Sequence, residues 1–432
     1  SFKLKNSAKY VVDRRSVSFH PSGSNVYKPN SGTKVLKMVL TGDSWLVPDS
    51  VRLMFTLVNN GDGDKRLRTL SGPHSFWRRM RVLCGGQVVE DFDYARTHEM
   101  LSLLHSSENR DDDDVEGFGQ RYDDAANAGA AAAHTLPGIA PGESRKVSFK
   151  LLSGLFNQKK WLPIRYCPIT IELELVNQAT DPIVAPGSAA AFTAANTSVD
   201  WEIVDVQLKA DLCSLDNAVD NQIADHLLSG KALPINYQTF ITQEQTVAGH
   251  SISVNVSRAV SRLSSIYLSF DGAIADPRAK AWNTFYHPMS QSTHTVDIPG
   301  GGTIRVHDPR YELEYQVQIG SKLFPEYPVQ SGAEAFAQLR KSLKDAHGSD
   351  YHGVSISAGQ YSRNKFVMAV QTSKLLAAGF TGINTRSGDL MTIKSKILDS
   401  AIPAEHMPSA LHVVLEADQI LEIRDTGVQV FD

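Results

Sequence analysis

Apolar and polar residues alternate along much of this chain with a period of two. Leu53, Phe55 and Leu57 fall on one face of residues 51–58, and Ile169, Ile171, Leu173 and Leu175 on one face of residues 169–176. This is the pattern of strands that bury one side. It predicts further strands at 10–12, 17–19, 35–40, 146–151 and 201–208, and in the second half at 250–256, 263–270, 411–417 and 427–431. One stretch organises the rest. Residues 80–94 place Gly85-Gly86 between two short alternating runs, and a helix follows over 97–104. Residues 315–327 place Gly320-Ser321 in the same way, and a helix follows over 333–340. Val82 and Val317, Gly85 and Gly320, Phe92 and Tyr327, and Glu99 and Glu334 are each 235 positions apart. A constant register of this kind marks one supersecondary unit used twice.

The count comes to about eight strands in each half, with few short helices, which predicts an all-β protein. Each sheet must bury a face against another, so antiparallel sandwiches are expected. Eight strands in Greek keys make a jelly roll, and the expected architecture is two tandem eight-stranded antiparallel jelly rolls. Helical spacing over 215–230, ending on Gly230, places the connection. The expected division is an N-terminal jelly roll at 1–213, a connecting helix at 214–230 and a C-terminal jelly roll at 231–432.

Several loops can be read from composition. The run from Asn59 to Asp64 has the acidic spacing of a calcium loop without its later glutamate, and is read as a turn. Residues 111–133 open on four adjacent aspartates and continue into an alanine-rich tract. They are expected to form a solvent-facing loop whose shortening the fold survives. Residues 179–198, rich in Ala, Pro, Thr and Gly, read as a surface excursion. Gly300-Gly301-Gly302 lacks the lysine and following helix of a phosphate loop and reads as a turn.

Length and charge change this picture little. A chain of 432 residues suits two domains of roughly 200 residues each. Its formal net charge of -4 supplies no basic field, and no direct sequence-specific nucleic-acid binding is expected. Cys84, Cys167 and Cys213 form no C-x-x-C pair, so buried free thiols are expected rather than disulfides or zinc. No run approaches the ~20 apolar residues of a membrane span, and the opening residues show no apolar signal region, so nothing points to secretion. Fourteen histidines occur without H-x-H or H-E-x-x-H, and His226, His406 and His412 are read as structural. No G-x-S-x-G is present. No catalytic, cofactor-binding or metal-ligating residues are expected, and no cofactor. Of the glycosylation sequons at Asn196 and Asn255, the second sits in an expected strand, which leaves Asn196.

Four pieces of the chain carry a family resemblance: residues 14–21 (Arg-Arg-Ser-Val-Ser-Phe-His-Pro), Ser153-Gly154-Leu155-Phe156 followed by Leu162-Pro163-Ile164, residues 316–321 with Phe324-Pro325, and Leu411-His412-Val413-Val414-Leu415. In order and spacing, the sequence resembles the double jelly-roll major capsid proteins of eukaryotic double-stranded DNA viruses, most closely the polinton, adintovirus and virophage-like groups. Residues 111–133 depart from that pattern. The resemblance implies a non-enzymatic major capsid protein. Three copies would form a capsomer of pseudo-hexagonal outline that tiles an icosahedral shell, and the protein would be located in the virion after assembly inside the host cell. The implied partners are further copies of itself, minor capsid and penton proteins, and an internal membrane. Two other classes compete. A carbohydrate-binding or glycan-processing sandwich protein would need a carboxylate pair or an aromatic platform drawn from Trp45, Trp77, Trp161, Trp201 and Trp282. A minor capsid or spike protein shares the fold, though minor vertex proteins usually carry one jelly roll.

Overall fold

The computed structural model describes residues 10–30, 34–104, 138–184, 197–273, 283–288, 293–297, 303–307, 313–347, 358–362, 364–374, 380–386, 390–398 and 407–432, with single positions at 115, 117, 354 and 356. In the first half the strands are β1 (Val11–Phe19), β2 (Val26–Tyr27), β3 (Val35–Leu40), β4 (Trp45–Leu46), β5 (Arg52–Asn59), β6 (Trp77–Cys84), β7 (Gln87–Asp93), β8 (Ser144–Lys150), β9 (Leu162–Pro163), β10 (Ile169–Leu175) and β11 (Trp201–Leu215). In the second half they are β12 (Leu233–Thr246), β13 (Ser251–Val256), β14 (Leu263–Gly272), β15 (Thr284–Tyr286), β16 (Thr293–Asp297), β17 (Thr303–His307), β18 (Leu313–Ile319), β19 (Lys322–Val329), β20 (Met368–Gln371), β21 (Met391–Ile397), β22 (Pro408–Arg424) and β23 (Gly427–Phe431). The helices are α1 (Tyr94–Leu104), α2 (Gly154–Asn157), α3 (Asn217–Leu228), α4 (Gly332–His347) and α5 (Ala358–Tyr361).

Eight strands carry each half. In the first, β1-β11-β5-β8 form one sheet and β3-β10-β6-β7 the other. In the second, β12-β22-β14-β20 and β13-β21-β18-β19 repeat that order. Numbered along the chain, both halves read 1-8-3-6 and 2-7-4-5, the jelly-roll arrangement. The remaining strands are additions: the two-residue strands β2, β4 and β9, the short β15, the terminal β23 and the separate hairpin β16–β17. They raise the described strands above the expected eight without altering the two sandwiches. The core lies between each pair of sheets. Phe55 of β5 meets Trp77 of β6 edge-on at 6.0 Å, and Tyr315 of β18 donates a hydrogen bond to the carbonyl of Ala369 in β20 at 3.3 Å.

The alternation seen in the sequence becomes alternation in burial. Strand β10 reads buried, half-buried, buried along all seven of its residues, and β13 buries Ile252, Val254 and Val256 while exposing the residues between. The repeated unit keeps its register at the turn, because β6 and β18 end at Cys84 and Ile319, and β7 and β19 begin at Gln87 and Lys322, but further along the hairpin the copies diverge, Met80 pairing with Phe92 and Tyr315 with Val329. Gly85 and Gly320 both take the left-handed region, with φ 54° and 59°, where a side chain would be strained. α4 starts three residues later in the second copy than α1 does in the first.

The connection is α3. Asp216 caps it by accepting a hydrogen bond from the Ala218 amide at 2.9 Å, and Gly230 follows its end at φ 81°, the usual left-handed stop. β11 runs two residues past 213, because Ser214 and Leu215 pair with Asp13 and Val11 of β1. The excursion at 179–198 is not wholly on the surface. Ile183 and Val184 are fully buried, as are Thr197 and Ser198, and short bridges tie Thr69 to Ile183 and Arg66 to Thr197. Asn196 lies outside the described residues, as do His406, Trp282, residues 300–302 and, apart from Val115 and Gly117, residues 111–133. The three cysteines are free and buried.

Candidate functional site at the seam between the jelly rolls

The two halves meet along a seam built by the first copy of the repeated unit. β7 and α1 press onto the outer face of the β12-β22-β14 sheet. Phe92 is 2% exposed and meets Phe240 of β12 at 5.8 Å. The Asp93 amide donates to Thr242 Oγ1 at 2.8 Å. The Tyr237 hydroxyl lies 3.2 Å from the Val89 carbonyl and 2.6 Å from Gln419 Oε1. α2 closes the same seam through Gly154, where a Cβ would stand 1.4 Å from the backbone carbonyl oxygen of Gln238. Only a glycine permits that approach.

Charge is concentrated here. Arg96 of α1 crosses the seam, its Nη1 2.5 Å from Asp271 Oδ1 and its Nη2 2.9 Å from Ser269 Oγ, with the guanidinium 4.0 Å above the Phe285 ring. His412 Nε2 lies 2.9 Å from the other Asp271 oxygen. Burial alone would raise the pKa of Asp271. The charge of Arg96 and the His412 hydrogen bond outweigh burial and hold that carboxyl below the usual carboxylate range. Glu90 of β7 is fully buried and accepts hydrogen bonds from Ser153 Oγ and, at 2.8 Å, from the Gly154 amide. Among the described residues no cation pairs with it, and burial pushes its pKa up to about 7 against those hydrogen bonds. Beside these groups a cleft of about 270 Å³ opens along the seam, lined by Leu101, Leu152, Phe240, His98, Lys150 and Glu416.

The residues singled out in the sequence fall as follows. His412 is a member of the seam. His226 sits at the end of α3, with Nε2 3.4 Å from the Ala232 carbonyl. Asp62 is paired with Lys65 at 2.5 Å, so its turn carries its own cation. Trp77 and Trp201 are core residues, Trp201 donating to the Ala179 carbonyl. Trp161 faces Tyr10 at 6.5 Å, and the pairing of β4 with β9 sets Trp45 opposite Pro163, two residues from Trp161. Among the described residues no group of three or more His, Cys, Asp or Glu is placed to hold a metal ion, and no helix is long and apolar enough to cross a membrane. Sequence reasoning missed Glu90, Arg96, Tyr237 and Asp271. Each looks like an ordinary strand or helix residue until the two halves are docked. Ser153-Gly154 was the one visible signal, and it was read only as part of a resemblance.

No protein-family model matches the chain, and no curated protein matches it in sequence. Solved structures do match. PBCV-1 VP54, fitted into a cryo-EM reconstruction of the virophage Sputnik, is similar over 100% of this chain and 99% of that chain, with a TM-score of 0.62 and 11% identity. This chain has the double jelly-roll fold. The Sputnik virophage structure determined by cryo-EM is similar over 100% of this chain and 90% of its own, with a TM-score of 0.60 and 9% identity. For the Faustovirus major capsid protein the shares are 98% and 93%, with a TM-score of 0.59 and 9% identity. The double jelly roll named by the sequence resemblance is therefore the fold of the molecule.

Proposed function

We propose that this chain is a major capsid protein. Three copies close into a pseudo-hexagonal capsomer, and capsomers tile an icosahedral shell in the virion. One observation carries the reading: two jelly rolls of identical strand order stand side by side over a length that matches capsid-protein chains almost end to end. Two similar blocks per chain and three chains about an axis give six blocks, an outline that fills a hexagonal lattice. The role is structural, with minor capsid and penton proteins and an internal membrane as the further partners. The division at 1–213, 214–230 and 231–432 is supported by sheet membership, since no described strand pairing crosses between the halves. The buried charges of the seam are used up in holding the two jelly rolls together, which favours this reading over glycan processing.

Native mass spectrometry of the purified chain, with negative-stain microscopy, tests the proposal. Trimers with a hexagonal outline are expected. A stable monomer at micromolar concentration would overturn it.

A further inference from the structure

Several strand edges in this molecule are guarded, and one is not. An open edge offers unpaired amides and carbonyls to any other strand, and proteins guard against this with charge, proline or cover. β1 carries Asp13-Arg14-Arg15, β8 carries Arg145, Lys146 and Lys150, and β19 carries Pro325 and Pro328. On β13 the Gln243 side chain takes up the Asn255 carbonyl and the Ser257 amide. β23 has none of these guards. It reads Gly427-Val428-Gln429-Val430-Phe431, without charge, proline or bulge, and its one described strand partner is β22.

The hairpin fixes which backbone groups are open. Asp425-Thr426 is a tight turn, which makes Arg424 and Gly427 a hydrogen-bonded pair. Alternation then commits Gln429 and Phe431 to β22 as well, and the amides and carbonyls of Val428 and Val430 point away from the sheet. Among the described residues none bonds them on that side. Val428 is 8% exposed, its side chain against Gly85 of the first roll, whereas Phe431 is 43% exposed and Gln429 is exposed. The strand is also close to symmetric about Gln429. Set antiparallel against itself, it pairs Val428 with Val430 on either side of the centre and Gln429 with Gln429. Phe431 then lies over Gly427 of the other copy, where no side chain stands in its way.

We infer that β23 of one copy pairs with β23 of a second copy about a twofold axis, joining two capsomers through the backbone groups of Val428 and Val430. This rests on the capsomer reading above and names a surface by which one tile meets the next. The contact is isologous and closes on itself, unlike the contacts around a threefold axis, which cannot set two copies of one strand antiparallel. Strand addition draws its affinity from main-chain hydrogen bonds. One such contact is small, and its strength comes from repetition across a lattice of tiles.

The test is a pair of single-cysteine substitutions, Gln429→Cys at the centre of the pairing and Thr426→Cys in the turn. The pairing sets the two copies of position 429 about 4.5 Å apart between Cα atoms, within reach of a disulfide, and the two copies of position 426 roughly 20 Å apart. The native cysteines are buried and should give little background. Under oxidised glutathione, Gln429→Cys is expected to run as a covalent dimer on a non-reducing gel, and native mass spectrometry should show trimers linked to trimers. Thr426→Cys should stay unlinked. Trimers of Gln429→Cys that do not link, or equal linking of both variants, would overturn this inference and leave the capsomer reading standing. Linked dimers from a chain that forms no trimers would instead overturn the capsomer reading and keep the strand pairing. Hydrogen exchange of the unaltered chain covers the case of a variant that does not fold. The Val428 and Val430 amides should gain protection as concentration is raised from isolated trimers to assemblies, and no gain at those two amides overturns the pairing.

Discussion

Glu90 and Asp271 line the same seam and respond to burial in opposite ways. Glu90 has no cation partner among the described residues, and burial raises its pKa from 4.5 to about 7 in the folded chain. A carboxyl raised in this way contributes stability that is fully present below its unfolded value and is lost as pH climbs through about 7. Glu90→Gln is therefore expected to flatten the fall in melting temperature between pH 5 and pH 8, and to stabilise the chain by up to ~3 kcal/mol at the upper end. Asp271 is held low by Arg96 and His412. Its contribution is present above the ordinary carboxylate range and disappears only as pH falls below it. Arg96→Met should cost roughly 2–3 kcal/mol in denaturant unfolding, the low end for a broken buried pair because Asp271 keeps some solvent contact and its His412 partner. Stability should also begin to fail at a higher pH on the acid side. Both effects are read from denaturant midpoints across a pH series.

Elements were legible in the sequence wherever one face of a strand is buried. Alternation placed β5, β10, β13 and β18, and the two-glycine turn placed the hairpin β6–β7 to the residue. What stayed hidden were segments whose burial comes from outside their own sheet. Ile183 and Val184 look like surface in a run of Ala, Pro and Thr, yet short bridges bury them. The strand expected at 263–270 is β14, but the burial of both its faces was not legible. α2, only four residues long, carries no periodic signal at all, although Gly154 fixes how closely the halves approach. Gly154→Ala would drive a methyl group into the Gln238 carbonyl, and that carbonyl belongs to a strand paired along its whole length and cannot yield cheaply. The expected result is a loss of more than about 4 kcal/mol or a calorimetric trace split into two transitions. A single transition within ~1 kcal/mol of the parent would show that the seam is looser than this contact implies.

For the whole molecule, the sequence repeat revealed two like domains but not that they are unequal. Inequality lies in which sheet is covered on both sides, β14 and β22 being buried continuously where β5 and β11 bury mainly alternate residues, and covering is a property of docking, not of residue order. The second roll's sheet is finished on both sides only when the first roll lies against it, since β14 and β22 turn Tyr267, Ser269 and Glu416 outward toward that neighbour. The chain is synthesised from its N-terminus, so the first roll, complete at Leu215, exists before the second begins. It can serve as the template on which the later half condenses. Residues 231–432 produced alone should then accumulate as insoluble material, and supplying residues 1–230 in the same cell should recover them in solution. Order of synthesis thereby becomes part of how this fold is reached.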